Sequence, residues 1–250
     1  MDRKEFLRGL GLVGLGTLTI PVIKACNSSD DSPSSSSNST QATDTGVSSS
    51  NSSCSVTATE TAGPFPTKTP GSLVTSNIVS DRTGVAFSIN IYIKNTKANC
   101  ATLEGAIVDI WHCDKDGYYS EYGGTSMQSA DFTSVHFLRG RQTTDASGLV
   151  KFKSIFPGWY SGRATHIHVH IYNALGTSLL VTQIAFPEGS GSAVALVNAS
   201  SANGYTKGLS GYTYNSADNV FSDGVSNEMS TVTGSVSDGF VLTHTINVAS

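Results

Sequence analysis

Phe87, Ile89, Ile91 and Ile93 occupy every second position between polar residues, the period of a strand with one face in a core. Leu103 to Cys113, Leu149 to Ile155, His166 to Tyr172, Ser178 to Phe186 and Gly239 to Val248 read the same way, separated by clusters of Gly, Asn, Asp and Ser. No long stretch repeats at the helical period. The pattern predicts an all-β domain over residues 54–250, an antiparallel β-sandwich of two packed sheets. That length is ample for a core of its own. His244 falls in phase with Phe240, Leu242, Ile246 and Val248 and reads as a core histidine.

Nothing before Cys54 fits this pattern. Residues 1–25 read as an export signal, with Arg3, Lys4 and Arg8 ahead of an apolar stretch from Leu10 to Val22. The stretch is short for a membrane span, which needs about 20 apolar residues. Ile23-Lys24-Ala25-Cys26 resembles a bacterial lipobox, so Cys26 is the expected lipidation site and the membrane is met only through an N-terminal anchor. The alternative is a cleaved, secreted protein. Residues 26–53 are dominated by Ser, with almost nothing to bury, and read as a flexible tether. The expected location is outside the cytoplasm, at the periplasmic or cell-surface side of a membrane.

Composition removes some functions and adds a cross-link. A net charge of −4 with 14% charged residues and no basic stripe argues against a nucleic-acid partner. In an exported chain disulfides persist, and Cys54 and Cys100, both at the starts of apolar segments, are predicted to pair. Cys113 reads as a buried thiol, although the sequence leaves a Cys100–Cys113 pair open.

The candidate chemistry lies in Pro157-Gly158-Trp159-Tyr160-Ser161-Gly162-Arg163-Ala164-Thr165-His166-Ile167-His168. Side chains alternate along a strand, so His166 and His168 share a face, their Cα atoms roughly 6.5–7 Å apart. Both rings can then reach one ion. Imidazole alone does not choose among Zn, Cu, Fe and Ni. A phenol, with its ordinary pKa near ~10, binds as phenolate only to a strongly acidic ion, and Tyr160 therefore points to ferric iron. A second tyrosine pair, Tyr118-Tyr119, follows the segment Asp109 to Gly117.

These segments resemble the intradiol ring-cleavage dioxygenases of the catechol and protocatechuate type. The resemblance runs from Cys54 to the C-terminus and includes Thr61-Ala62-Gly63-Pro64-Phe65, Phe137 to Asp145 and Asn215 to Phe221. It implies non-haem Fe(III) held by Tyr119, Tyr160, His166 and His168, with Tyr118 the adjacent alternative to Tyr119. It implies a small aromatic diol and O2 as reactants and a cis,cis-muconate-type diacid as product. Tyr160 would leave the metal when substrate binds and take up a proton. Arg163 would stabilise negative charge on the substrate, and Gln183, fifteen residues after His168, would orient a ligand or water. Catechol dioxygenases carry a helical N-terminal dimerisation segment for which this sequence has no counterpart, so the oligomeric state is left open.

Other readings compete. His170 shares the face of His166 and His168, so a three-histidine zinc or copper strand is one. A His-based zinc hydrolase would need a nearby carboxylate base, and the strand carries none beside the histidines. A tethered binding module without catalysis is another, since a fold does not decide function; a ligand set missing one residue would favour it. Tyr122, Phe132, His136 and Tyr205 are expected to wall the substrate pocket, with His112 a residue of its edge. Trp111 and Trp159 are expected to pack near it.

Overall fold

The structure, a computed structural model, describes residues 54–250. The export signal, the tether and Cys26 lie outside them.

Among the described residues nine strands form two sheets. They are β1 (Ala86–Asn95), β2 (Ala101–Thr102), β3 (Ile107–Trp111), β4 (Arg139–Thr143), β5 (Leu149–Ile155), β6 (His166–Tyr172), β7 (Ser178–Ala185), β8 (Thr231–Ser235) and β9 (Gly239–Val248). One sheet runs β2-β1-β9-β8, with β5 also on β1; the other runs β4-β3-β6-β7. The sandwich has the predicted architecture with one difference. β1 and β9 pair in parallel from Phe87↔Phe240 to Asn95↔Val248, while the other paired strands are antiparallel.

The alternation that predicted β1 is realised in space. Ile89, Ile91 and Ile93 are fully buried, as are Leu242, Ile246 and Val248 on β9 and Ile167, Val169 and Ile171 on β6. Their side chains fill the space between the sheets. Four elements did not show in the pattern, among them β4, whose sequence Arg139-Gly140-Arg141-Gln142-Thr143 carries no apolar alternation. β8 is an edge strand with no buried residue, so its sequence carries no apolar alternation. β2 has two residues. The six-residue helix α1 (Ala193–Asn198) is too short to display a helical period; Ser192 caps it, accepting from the Ala195 N–H at 3.2 Å. The segment expected as a strand from Leu103 begins only at Ile107, because a turn with Gly105 at φ +77° precedes it.

Register matters most on the outer face of the second sheet. Arg139, Trp111, His168 and Gln183 are direct cross-strand partners across β4, β3, β6 and β7 and form one row. The next row is Arg141, Asp109, His170 and Val181. A half-apolar sheet normally leaves such a face to water. Here it is covered by an arm running from Cys54 to Pro66 and by the loops after β3 and β5, and Trp111, His168 and Gln183 are all buried. A disulfide joins Cys54, at the start of the arm, to Cys100, with Cα atoms 6.0 Å apart; Cys113 is a buried free thiol.

Candidate metal centre

His166 opens β6 and His168 follows on the same face, so the strand period brings their Nε2 atoms to 3.1 Å. The tautomer of His166 follows from its other nitrogen, which lies 2.6 Å from the Ala164 carbonyl oxygen. That oxygen can only accept, so Nδ1 carries the proton and Nε2 presents a lone pair. Burial and the neighbouring Arg163 guanidinium hold both imidazoles well below their ordinary pKa, and both are neutral. His168 lies between two surfaces. The Trp111 indole stacks on it with ring centroids 4.9 Å apart and planes at 4°. On the arm, the Gly63 backbone is so close that a Cβ there would meet His168 Cε1 at 3.0 Å.

The two tyrosines arrive on loops that press backbone to backbone. Asp114 closes the first, accepting from the N–H groups of Asp116 (3.0 Å) and Tyr118 (2.9 Å). Gly117 makes the turn at φ +88°, where a Cβ would lie 2.4 Å from the Trp159 carbonyl oxygen. Gly158 answers from the other loop, since a Cβ there would lie 2.5 Å from the carbonyl oxygens of Asp114 and Lys115. Only glycines allow this approach, and it sets Tyr119 and Tyr160 side by side, ring centroids 5.9 Å apart. The Tyr119 hydroxyl stands 3.3 Å from His166 Nε2. Tyr118 points away, its ring against Phe132. Desolvation raises the pKa of both Tyr119 and Tyr160.

Arg163 completes the cluster. Its Nε lies 2.9 Å from both carboxylate oxygens of Asp218, Nη2 donates to Gln183 Oε1 at 2.6 Å, and Nη1 approaches His166 Nε2 at 3.5 Å. Gln183 in turn donates to the Thr61 carbonyl on the arm at 2.8 Å. The structure thus brings together Tyr119, Tyr160, Arg163, His166, His168 and Gln183.

Several other expected residues lie elsewhere. Tyr205 belongs to the main core, its hydroxyl donating to the Phe156 carbonyl at 2.6 Å. Phe132 packs on Phe137, and His136 is half exposed, bonded to Glu121 at the edge of a separate surface cavity of about 420 Å³. His112 is fully buried between the Cys113 carbonyl and Ser154 rather than at a pocket edge. Of the expected wall residues, Tyr122 alone joins the cluster's apolar shell, with Phe65, Trp111, Cys113 and Tyr119. His170 turns to Tyr172 and Ser178, which excludes a three-histidine site in this arrangement. Trp159 packs on Tyr212 and donates to the Gly208 carbonyl.

The sequence reading missed four supports. Trp111 was expected only to pack near the pocket, yet it stacks on His168. Gln128 pins the Tyr119 loop, accepting from Tyr119 N–H and donating to the Tyr119 and Tyr122 carbonyls, each at 2.8 Å. Arg139 ties that loop to the arm through Ser120 and the Phe65 carbonyl. Asp218 holds Arg163. For Trp111 and Arg139 a signal existed, because correct strand pairing would have put them in the row of His168.

The donor chemistry fits ferric iron. Two phenol oxygens and two imidazole nitrogens converge, at least one nitrogen lone pair faces its neighbour, and among the described residues no carboxylate touches either histidine. Phenolate and imidazole together suit a hard, acidic ion of the first transition row.

A family model described as "Dioxygenase" matches residues 73–225. The chain is 31% identical over 103 residues to chlorocatechol 1,2-dioxygenase of Rhodococcus opacus, a match covering 34% of this chain and 37% of that protein. It is 35% identical over 74 residues to catechol 1,2-dioxygenase 1 of Acinetobacter lwoffii, covering 30% and 22%. The matches therefore span well under half of these relatives. Among solved structures, an intradiol ring-cleavage dioxygenase from Tetranychus urticae superposes with a TM-score of 0.67 at 28% identity, covering 78% of this chain and 95% of that one. Together with the tyrosine–histidine cluster on the sheet, these matches place the chain in the intradiol ring-cleavage dioxygenase family.

Proposed function

We propose that this protein cleaves a 1,2-dihydroxybenzene between its hydroxyl-bearing carbons, using O2 and a non-haem Fe(III) held by Tyr119, Tyr160, His166 and His168. The observation that carries the reading is the convergence of Tyr119 Oη (3.3 Å) and His168 Nε2 (3.1 Å) on His166 Nε2. Ferric iron, when bound, would supply Lewis acidity toward a catecholate and an acceptor for its electron density, which opens the ring to O2.

The chain's own groups do the rest. Tyr160 is the less buried of the two phenols and lies beside Arg163. Its Oη is the atom that receives a proton from the incoming diol. Arg163 is charged, fixed by Asp218 and Gln183, and aimed at the histidine pair. It stabilises negative charge on the substrate without having to reorient. Phe65, Trp111 and Tyr122 shield the cluster from water. Catechol plus O2 then balances to a muconic acid carrying both oxygen atoms.

The Cys54–Cys100 disulfide supports the further reading that the enzyme works in an oxidising compartment. The N-terminal segment supports export, with Cys26 as a lipid anchor. The reaction is tested by incubating iron-loaded protein with a panel of 1,2-dihydroxybenzenes under 18O2. Mass spectrometry should find a ring-opened diacid with two labelled oxygens. Unchanged diol across the panel, or a product opened outside the two hydroxyls, would overturn the reading.

A further inference from the structure

The arm that covers the centre also carries a carboxylate into a second cluster. Glu60 N–H donates to the Val181 carbonyl at 2.9 Å, which fastens the arm to the edge of β7. One oxygen each from Glu60, Asp223 and Glu228 lie within 4.8 Å of one another. Calcium binds oxygens at 2.3–2.6 Å, so ligands on opposite sides of the ion are about 4.6–5.2 Å apart. The three carboxylates fit inside one such sphere.

Surface acids often gather without an ion, but Glu228 is not a surface acid. Its side chain is 0% exposed. Oε2 has no hydrogen-bond partner, and Oε1 meets only Thr182 Oγ1 at 3.4 Å. The charges that act on it are Glu60 and Asp223, both of its own sign. Among the described residues no Lys, Arg or His forms an ion pair with any of the three. A buried carboxylate is ordinarily paired or bound to a metal. Left to themselves, burial and mutual repulsion raise Glu60 to about 7 and Glu228 to about 8. The cluster then holds protons where a cation would replace them.

We propose that Glu60, Asp223 and Glu228 form a calcium site, separate from the tyrosine–histidine centre, that clamps the arm to the segment before β8. Asn227 already links these two pieces, accepting from Ala58 N–H and donating to the Val56 carbonyl. The clamp acts on the same arm whose Thr61 and Gly63 brace Gln183 and His168. Calcium would therefore stiffen the mount of the centre without touching it.

The test uses the full chain, freed of divalent ions on a chelating resin. Calcium chloride is titrated in a calorimeter, and melting is followed with and without calcium at about 1 mM, the range of extracellular calcium modules. The expected result is saturable binding at roughly one ion per chain and a rise in Tm of several degrees. Asp223→Asn, at an exposed position where folding tolerates the change, should abolish both. No binding by the unaltered protein, or undiminished binding by Asp223→Asn, overturns the proposal. Neither outcome depends on whether the protein cleaves catechols.

Discussion

The Trp111 indole and the His168 imidazole lie parallel, 4.9 Å apart, as direct partners in the β3–β6 register. The stack fixes the plane of the ring proposed to present one nitrogen to iron, and the Gly63 backbone crowds its Cε1. Groups that orient a metal ligand are typically worth about 10–100-fold in metal affinity or activity. Trp111→Leu should therefore lower iron affinity roughly tenfold, read by competition with a chelator. Unchanged affinity would reduce the indole to a packing residue.

Asp218 is the counter-ion of a buried guanidinium and also accepts from the N–H groups of Ala164 (2.8 Å) and Val220 (3.0 Å). Breaking a buried pair from one side costs about 3–5 kcal/mol. Asp218→Asn should lower Tm and kcat together, with iron content kept. A variant that loses iron but turns over normally per bound iron would show that Asp218 serves the ligands and not Arg163.

Cys54 and Cys100 enclose a 46-residue separation, which loop-closure entropy values at roughly 4 kcal/mol. The bond also anchors the start of the arm. Cys54→Ser with Cys100→Ser should lower Tm and, because Gly63 and Thr61 sit downstream on the arm, weaken iron retention. A lower Tm with undisturbed iron binding would confine the disulfide to global stability.

His244 is buried on β9 with Nε2 unpartnered, and desolvation lowers its pKa to about 4 from the usual 6.5. The unfolded chain therefore binds a proton at a higher pH than the folded one. His244 gives its full support above pH 6.5, and that support falls as pH drops toward about 4. The loss amounts to about 3 kcal/mol at 1.36 kcal/mol per unit. His244→Gln should flatten the acid side of the stability curve, measured by denaturant melts across that window. An unaltered slope would assign acid sensitivity elsewhere, with His112 the next candidate, also lowered to about 4.

What could be read from the chain and what could not divides along a physical line. β1 and β9 were legible because burial on one face writes a two-residue period. His166 and His168 were legible as neighbours because the same period puts two imidazoles on one face. Tyr160 was legible from its place beside the histidine pair, but Tyr119 only as spacing within a family resemblance; nothing local shows that Gly117 and Gly158 bring their loops into contact. Tyr205 and Phe132 read as pocket-wall residues, yet Tyr205 is buried in the main core and Phe132 packs, partly buried, against it, since a loop can dive inward without leaving a periodic trace. Gln128 and Asp218 act across tertiary contacts that no window of sequence contains.

The central claim is that two phenols and two imidazoles hold ferric iron on the outer face of the second sheet. The most direct measurement is a visible spectrum with metal analysis of the iron-loaded protein, before and after catechol is added without oxygen. The account predicts a phenolate-to-iron band, about one iron per chain, and a shift of that band on adding catechol. Protein that stays colourless after Fe(III) loading, or a band unchanged in both Tyr119→Phe and Tyr160→Phe, would contradict it.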